Sequence, residues 1–376
     1  MQFKDVIGQE AVKQRLIHSV LENRVSHAQL FLGQGGIGKL ALALAYVQYI
    51  CCADRTESDS CGVCHSCQKI SKLAHPDLHF VFPTATTKKV KKDPESNLFM
   101  EEWREFVLQK QAYIDTKNWY DFLEIENKQG SIFVRDAATL LHKLSLKAYE
   151  SEYKIAILWM VEKMNVQTAN KLLKLLEEPP EKTLFILIAE DQEQLLTTVK
   201  SRAELVKIPP IAQQQLQEKL ISYYNCSQNE AIDAAIMAKG SWIEACRYLE
   251  NKEDEKYNFQ TFQQWMRLCF RAAVPELIDF TANLKSIGRE KQKGLLLYAL
   301  EIFRNSLLLN NNLIELVQLP EDEKTFSTNF SPFIKPINLL QMRDLMEDGI
   351  KHIERNGYAP IILLDISLKI TKLLRL

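Results

Sequence analysis

Two clusters in this sequence carry residue types at spacings that could do chemistry. The first is the G-x-x-x-x-G-K run Gly33-Gln-Gly-Gly-Ile-Gly38-Lys39. Its glycines let backbone N–H groups converge on one point, and the lysine adds a mobile positive charge. Such a loop cradles phosphate when a strand precedes it and a helix follows, because the helix start contributes its positive dipole end. The candidate phosphate contacts are therefore Gly33, Gly35, Gly36, Gly38 and Lys39, and ATP or ADP is the ligand the pattern implies.

The second cluster is Cys52-x8-Cys61-x2-Cys64-x2-Cys67, within a stretch that holds five of the eight cysteines. Four thiolates in one short loop suffice for tetrahedral Zn²⁺, at about 2.3 Å per sulfur. The short gaps let a turn present neighbouring sulfurs to one ion, and Gly62 eases the bend. A full set of protein ligands leaves no open coordination position, so the expected Zn²⁺ is structural. Cys51 competes with Cys52 for the first place, but it closes an apolar helical run and reads as packing. Cys226, Cys246 and Cys269 fall singly in helical patterns and read as buried thiols.

Phosphate transfer needs more than a cradle. A Ser or Thr after the loop lysine and an acid at the tip of a neighbouring strand hold Mg²⁺, and a carboxylate activates water. Here Leu40 follows the lysine. The strand Lys154-Ile-Ala-Ile-Leu158 runs into Trp159-Met160, and Glu162 comes two to three positions late, where strand alternation aims it elsewhere. None of leucine, tryptophan and methionine offers a hard oxygen. The sequence therefore predicts no ATP hydrolysis by this chain, with nucleotide binding left open. An ATP-hydrolysing chain, with Glu162 or Glu190 replacing the missing acid, is the competing expectation, and a zinc-ribbon DNA-binding protein is a third.

The hydrophobic pattern supplies the scaffold. Val12, Leu16, Val20 and Leu21 mark an amphipathic helix within Val6–Leu21, followed by the apolar strand Ala28–Leu32, the loop, and a buried helix over Lys39–Ile50. Strand-length apolar runs recur at Lys154–Val161 and Thr183–Ala189, around a helix from Ala169 to Glu178 that Pro179-Pro180 stops. Strands alternating with helices imply a mainly parallel sheet. Between 84 and 130 the pattern breaks into a turn-rich basic stretch and an aromatic segment around Trp103 and Trp119. This reads as an insertion, with Lys88, Lys89, Lys91 and Lys92 solvated and the tryptophans in a core. Beyond Pro209-Pro210 helices are expected over Gln213–Tyr224, Gln228–Ala238, Trp242–Leu249 and onward to Leu376. The expected fold is α/β and then all-α: a P-loop domain over 1–207, with the cysteine module at about 51–70 and the insertion at about 84–130, a small helical domain over 208–255, and a helical domain over 256–376.

With 46% hydrophobic and 25% charged residues among 376, substantial cores are expected rather than disorder. A formal net charge of -1 rules out a chain-wide basic field, so any DNA contact is local or shared with partners. Met1 to Glu10 is polar and charged, and no apolar run reaches membrane-spanning length, so a cytoplasmic protein without membrane contact is expected.

Together these motifs resemble one family, the delta prime subunits of bacterial DNA polymerase III clamp loaders, a branch of the AAA+ proteins. The matching residues are Val6-Ile-Gly-Gln-Glu10, Ser26-His-Ala28, the four-cysteine spacing, His75-Pro-Asp77, the run Ala169-Asn-Lys-Leu-Leu-Lys-Leu-Leu-Glu-Glu-Pro-Pro180 and Ser201-Arg202. The resemblance implies an AAA+ P-loop domain with parallel sheet and inserted zinc module, a helical lid domain and a helical C-terminal collar domain for oligomerisation. It implies a catalytically silent subunit of the polymerase III holoenzyme. With a delta subunit and ATP-hydrolysing gamma or tau subunits, such a subunit helps load the sliding clamp onto primer-template DNA in replication. Clamp-loader ATPase subunits share the cysteine module. The delta prime branch lacks the catalytic set, and here Leu40, Trp159-Met160 and Ile243, in the place of a second-domain arginine, conform. The family's Ser-Arg-Cys triplet is Ser201-Arg202-Ala203, and the resemblance implies that Arg202 acts in trans as an arginine finger in a neighbour's ATP site. The 84–130 stretch has no counterpart in the family pattern.

Overall fold

The computed structural model describes the whole chain except residues 126–129, 251, 318, 356 and 376. Residues 126–129 of the expected insertion and Asn251, in the charged run near the expected boundary at 255, thus lie outside the described residues. The chain forms two compact units, Met1–Cys246 and Arg247–Leu376.

The first unit is built on β1 (Ala28–Leu32), β2 (Leu78–Val81), β3 (Lys154–Trp159), β4 (Thr183–Ala189) and β5 (Glu204–Lys207). Their order across the sheet is β2-β3-β4-β1-β5, and every pairing is parallel. The sequence pattern marks β1, β3 and β4 because all their residues are buried, which is what strands covered on both faces require. It does not mark β2 or β5. Each has only four residues, and β5 is a half-exposed edge with a charge at either end. Lys154 stays in the buried β3 because its ammonium donates to the carbonyls of Leu144 (2.5 Å) and Leu146 (3.1 Å).

Helices α1 (Glu10–Leu21), α2 (Lys39–Cys51), α3 (His65–Ser71), α4 (Met100–Gln109), α5 (Thr116–Phe122), α6 (Val134–Ser145), α7 (Val166–Glu177), α8 (Thr197–Lys200), α9 (Gln213–Tyr224) and α10 (Gln228–Met237) belong to the first unit, and α11 (Trp242–Glu250) begins in it and runs past its last residue, Cys246. Helix α7 begins earlier than the apolar period suggests, because the Asn165 side chain caps it by accepting the Thr168 amide at 2.8 Å. Leu32 pairs with Ala189, and Trp159 with Ile188. The ends of β1, β3 and β4 are therefore level, and the residues after them (Gly33, Met160 and Glu190) share one edge. That edge is the carboxyl end of a parallel sheet, where open α/β folds place their ligand sites.

The stretch from 84 to 130 folds back on the sheet. Thr84 and Ser131 exchange backbone hydrogen bonds of 3.0 and 2.9 Å, so its ends meet. Within it Trp103 stacks on Phe82 with ring centroids 4.1 Å apart, and Trp119 meets both rings edge-on. Trp119 also donates its indole N–H to the Pro83 carbonyl at 2.8 Å. Both tryptophans are fully buried. Lys88 and Lys89 are exposed and paired with Glu124 and Glu102.

The second unit holds α12 (Lys252–Arg271), α13 (Val274–Asn283), α14 (Arg289–Asn310), α15 (Glu321–Phe330), α16 (Pro336–Glu354) and α17 (Ala359–Leu373) around a core that includes Trp265, Phe303, Met342 and Ile370. The Trp265 indole donates to Ser367 at 2.7 Å inside that core. Among the described residues, no helix is long and apolar enough to cross a membrane.

The aromatic stack ties the inserted stretch to the sheet. Trp103→Ala is expected to destabilise the first unit by about 3–5 kcal/mol through the cavity it leaves; urea titration of the chain measures it, and a loss below ~1 kcal/mol contradicts the packing account.

Candidate functional site

The glycine loop connects β1 to α2 as the motif requires. Gly36 (φ 77°) and Gly38 (φ 85°) lie in left-handed backbone, and Gly38 occupies the N-cap of α2. The Lys39 ammonium is not free. It donates to the carbonyls of Gly33 (2.8 Å) and Gln34 (2.5 Å) and stands 3.4 Å from a Glu190 carboxylate oxygen. Only 5% of the Lys39 surface is exposed. Burial lowers its pKa, while the carboxylates of Glu190 and, more weakly, Glu162 hold its charge in place.

The two positions where Mg²⁺ chemistry needs oxygen are apolar and buried: Leu40 on one side, Trp159 and Met160 on the other. Trp159 has an evident structural reason to be aromatic, since its ring packs on Trp103 of the inserted stretch with centroids 5.3 Å apart. Glu162 corrects the expectation from strand alternation. The strand ends at Trp159, and Met160 turns left-handed (φ 59°), so alternation no longer governs the next residues. The Glu162 carboxylate comes back to the loop edge and accepts the Glu190 amide at 2.8 Å. Burial raises its pKa against that hydrogen bond, and its second oxygen is buried without a partner. Two carboxylates thus stand near the loop lysine.

Groups from outside the loop lie against it. The Trp242 amide donates to the Gly36 carbonyl at 2.9 Å. A Cβ on Gly36 would fall 2.0 Å from the Ser241 hydroxyl and 3.2 Å from the Ile243 side chain. Sequence reasoning missed Tyr113, whose ring is packed on Gly38. No periodicity or motif signals such a contact, because it joins residues 75 positions apart through tertiary structure.

Cys52, Cys61, Cys64 and Cys67 have sulfurs that all lie within 4.8 Å of one another. Around a Zn²⁺ bonded at 2.3 Å the sulfurs of a tetrahedron sit about 3.8 Å apart, and Cys61 and Cys67 are already at 3.9 Å. The Cys61 amide points at the Cys52 sulfur and the Cys64 amide at the Cys61 sulfur, both at 3.3 Å, a donor pattern that favours thiolates. Gly62 takes the left-handed turn (φ 75°). The set fits a tetrahedral metal ion. Cys51 stands outside it, half-buried, its thiol pushed up to about 12 by desolvation. Of the three scattered cysteines only Cys269 is fully buried; Cys226 and Cys246 are half-buried, a correction to the expectation for both.

Arg202 follows α8 and lies at the surface, where its guanidinium pairs with Glu177 at the end of α7 and donates to the Thr198 carbonyl at 3.0 Å. Its side chain is about one-third exposed.

The model of the family described as DNA polymerase III, delta subunit, matches residues 8–212, more than half of the chain. The chain belongs to this clamp-loader family. The delta prime subunit of DNA polymerase III from Bacillus subtilis is 29% identical over 213 residues, which are 57% of this chain and 51% of that protein. The tau/gamma subunit from Haemophilus influenzae is 25% identical over 218 residues, 58% of this chain and 25% of its own length. The matched part is thus about half or less of these relatives. Among solved structures, a gamma subunit-related protein from Thermotoga maritima aligns over 98% of this chain and 100% of its own, at 14% identity and a TM-score of 0.36.

Both delta prime and tau/gamma relatives match, so the family alone does not choose between these two kinds of subunit. For the cysteines the expected outcome is direct. Purified protein should carry about one metal ion per chain, and Cys64→Ser should lose it and melt at lower temperature; elemental analysis of both proteins decides, and equal metal content would exclude the site.

Proposed function

We propose that this chain is the delta prime subunit of a DNA polymerase III clamp loader, a catalytically silent AAA+ subunit. In this reading residues 208–255 form the lid and 256–376 the collar. The chain assembles in the cytoplasm with delta and gamma or tau subunits, which act on the sliding clamp and primer-template DNA. The four cysteines hold a structural Zn²⁺. The single observation that carries the reading is the loop edge itself: Lys39 already has an internal carboxylate partner, and buried leucine, tryptophan and methionine stand where Mg²⁺ needs oxygen. Lower similarity to tau/gamma than to the Bacillus delta prime subunit agrees with it.

Arg202 supplies the neighbouring subunit in this proposal. A guanidinium carries charge and a planar fork of donors to phosphate oxygens as the bond breaks. The ion pair with Glu177 holds it at the surface in the isolated chain, ready to exchange a carboxylate for a phosphate. Arg202→Ala should fold normally and lower clamp-stimulated ATP turnover of a reconstituted loader, by roughly tenfold or more at the site it serves. Turnover equal to that of the native assembly would remove the role.

The competing reading, an ATP-hydrolysing subunit, has one observation of its own, namely the two carboxylates of Glu162 and Glu190 beside the loop lysine. Phosphate release by the purified chain with Mg²⁺ and primed DNA separates the two. No turnover is expected, and turnover abolished by Lys39→Ala would establish the enzyme instead.

A further inference from the structure

Tyr113 belongs to the inserted stretch, yet it is seated against the glycine loop. The residues that deliver it are unusual. Gln111 (φ 49°) and Ala112 (φ 61°) are consecutive non-glycine residues in left-handed backbone, and they turn the chain out of α4 so that Tyr113 enters the interior. Its phenol oxygen accepts the Ile7 amide at 2.8 Å. Its ring lies on Gly38 so closely that an added Cβ there would sit 2.8 to 3.1 Å from three of its atoms. The same ring meets Trp242 at a centroid distance of 6.1 Å, and the Trp242 amide is the one bonded to the Gly36 carbonyl. Three separate parts of the first unit thus close on one tyrosine.

The other face of the loop is also met from within. A Cβ on Gly35 would lie 3.2 to 3.5 Å from the Glu190 carboxylate, which also neutralises Lys39. A phosphate seated at the start of α2 would need that lysine and the N–H groups around Gly38. The rest of a nucleotide would then have to leave past Tyr113 or past Glu190.

We propose that the loop is a nucleotide site occupied by the protein itself: Glu190 stands in for a phosphate on Lys39, and Tyr113 fills the space beside Gly38 and Ile7. The inserted stretch is then a built-in plug, anchored on Trp159 through Trp103 and reaching the loop through Tyr113. This rests on the silent-subunit reading and adds to it, because it concerns exclusion of nucleotide rather than absence of hydrolysis.

The test is titration calorimetry of the full chain with ADP and ATP, with and without Mg²⁺. The native chain is expected to bind neither below roughly 1 mM, and Tyr113→Ala to bind at least about tenfold tighter. Tyr113→Phe, which keeps the ring, should remain closed. Should the alanine variant fail to show a native circular dichroism spectrum, Tyr113→Val, smaller but still apolar, takes its place. Micromolar binding by the native chain overturns the plug, as does a folded variant that binds no tighter than native. Native binding without hydrolysis would end this proposal and leave the silent-subunit reading intact.

Discussion

A lysine ammonium taken almost wholly out of water must be surrounded by oxygen, and the arrangement around Lys39 follows from that requirement. In a phosphate-binding loop the ligand provides the counter-charge. Here two loop carbonyls and the Glu190 carboxylate provide it. The parallel register makes this possible: because Leu32 is level with Ala189, the residue after β4 arrives beside the residue after β1.

The inserted stretch and the apolar magnesium positions are parts of one packing solution. Trp159 stands where an acid would hold a metal, and it is buried against Trp103, which stacks on Phe82. An aspartate at 159 would place a charge against that buried aromatic stack. The same stretch brings Tyr113 to Gly38. The apolar strand tip and the inserted stretch therefore support each other physically: the inserted stretch needs an apolar strand tip, and the tip needs a cover.

The cysteine module solves a different problem. The described segment from Cys52 to Cys67 has little apolar side-chain mass of its own, and hydrogen bonds tie it to the body: the Asp59 carboxylate accepts the Phe3 and Lys4 amides, and Tyr49 donates to the Thr56 carbonyl at 2.9 Å. A metal held by four sulfurs would supply the cohesion that a small loop lacks.

Much of the site was legible from residues alone. The glycine spacing, the four cysteines, the apolar residues at 40, 159 and 160, and the buried strands β1, β3 and β4 are local signals, because backbone flexibility, ligand chemistry and burial on both faces each dictate residue type at short range. The edge strands β2 and β5 were not, because four residues are too few for a period to show and β5 is half-exposed as well. Glu162 was misjudged because one left-handed residue, Met160, ends the alternation on which its direction was read. Sequence by itself determined that positions 40, 159 and 160 bring no hard oxygen to the loop edge. Only the tertiary structure decided what fills it, since Glu190 and Tyr113 reach Lys39 and Gly38 across strand register and chain reversal, and no local pattern encodes contacts made at that separation.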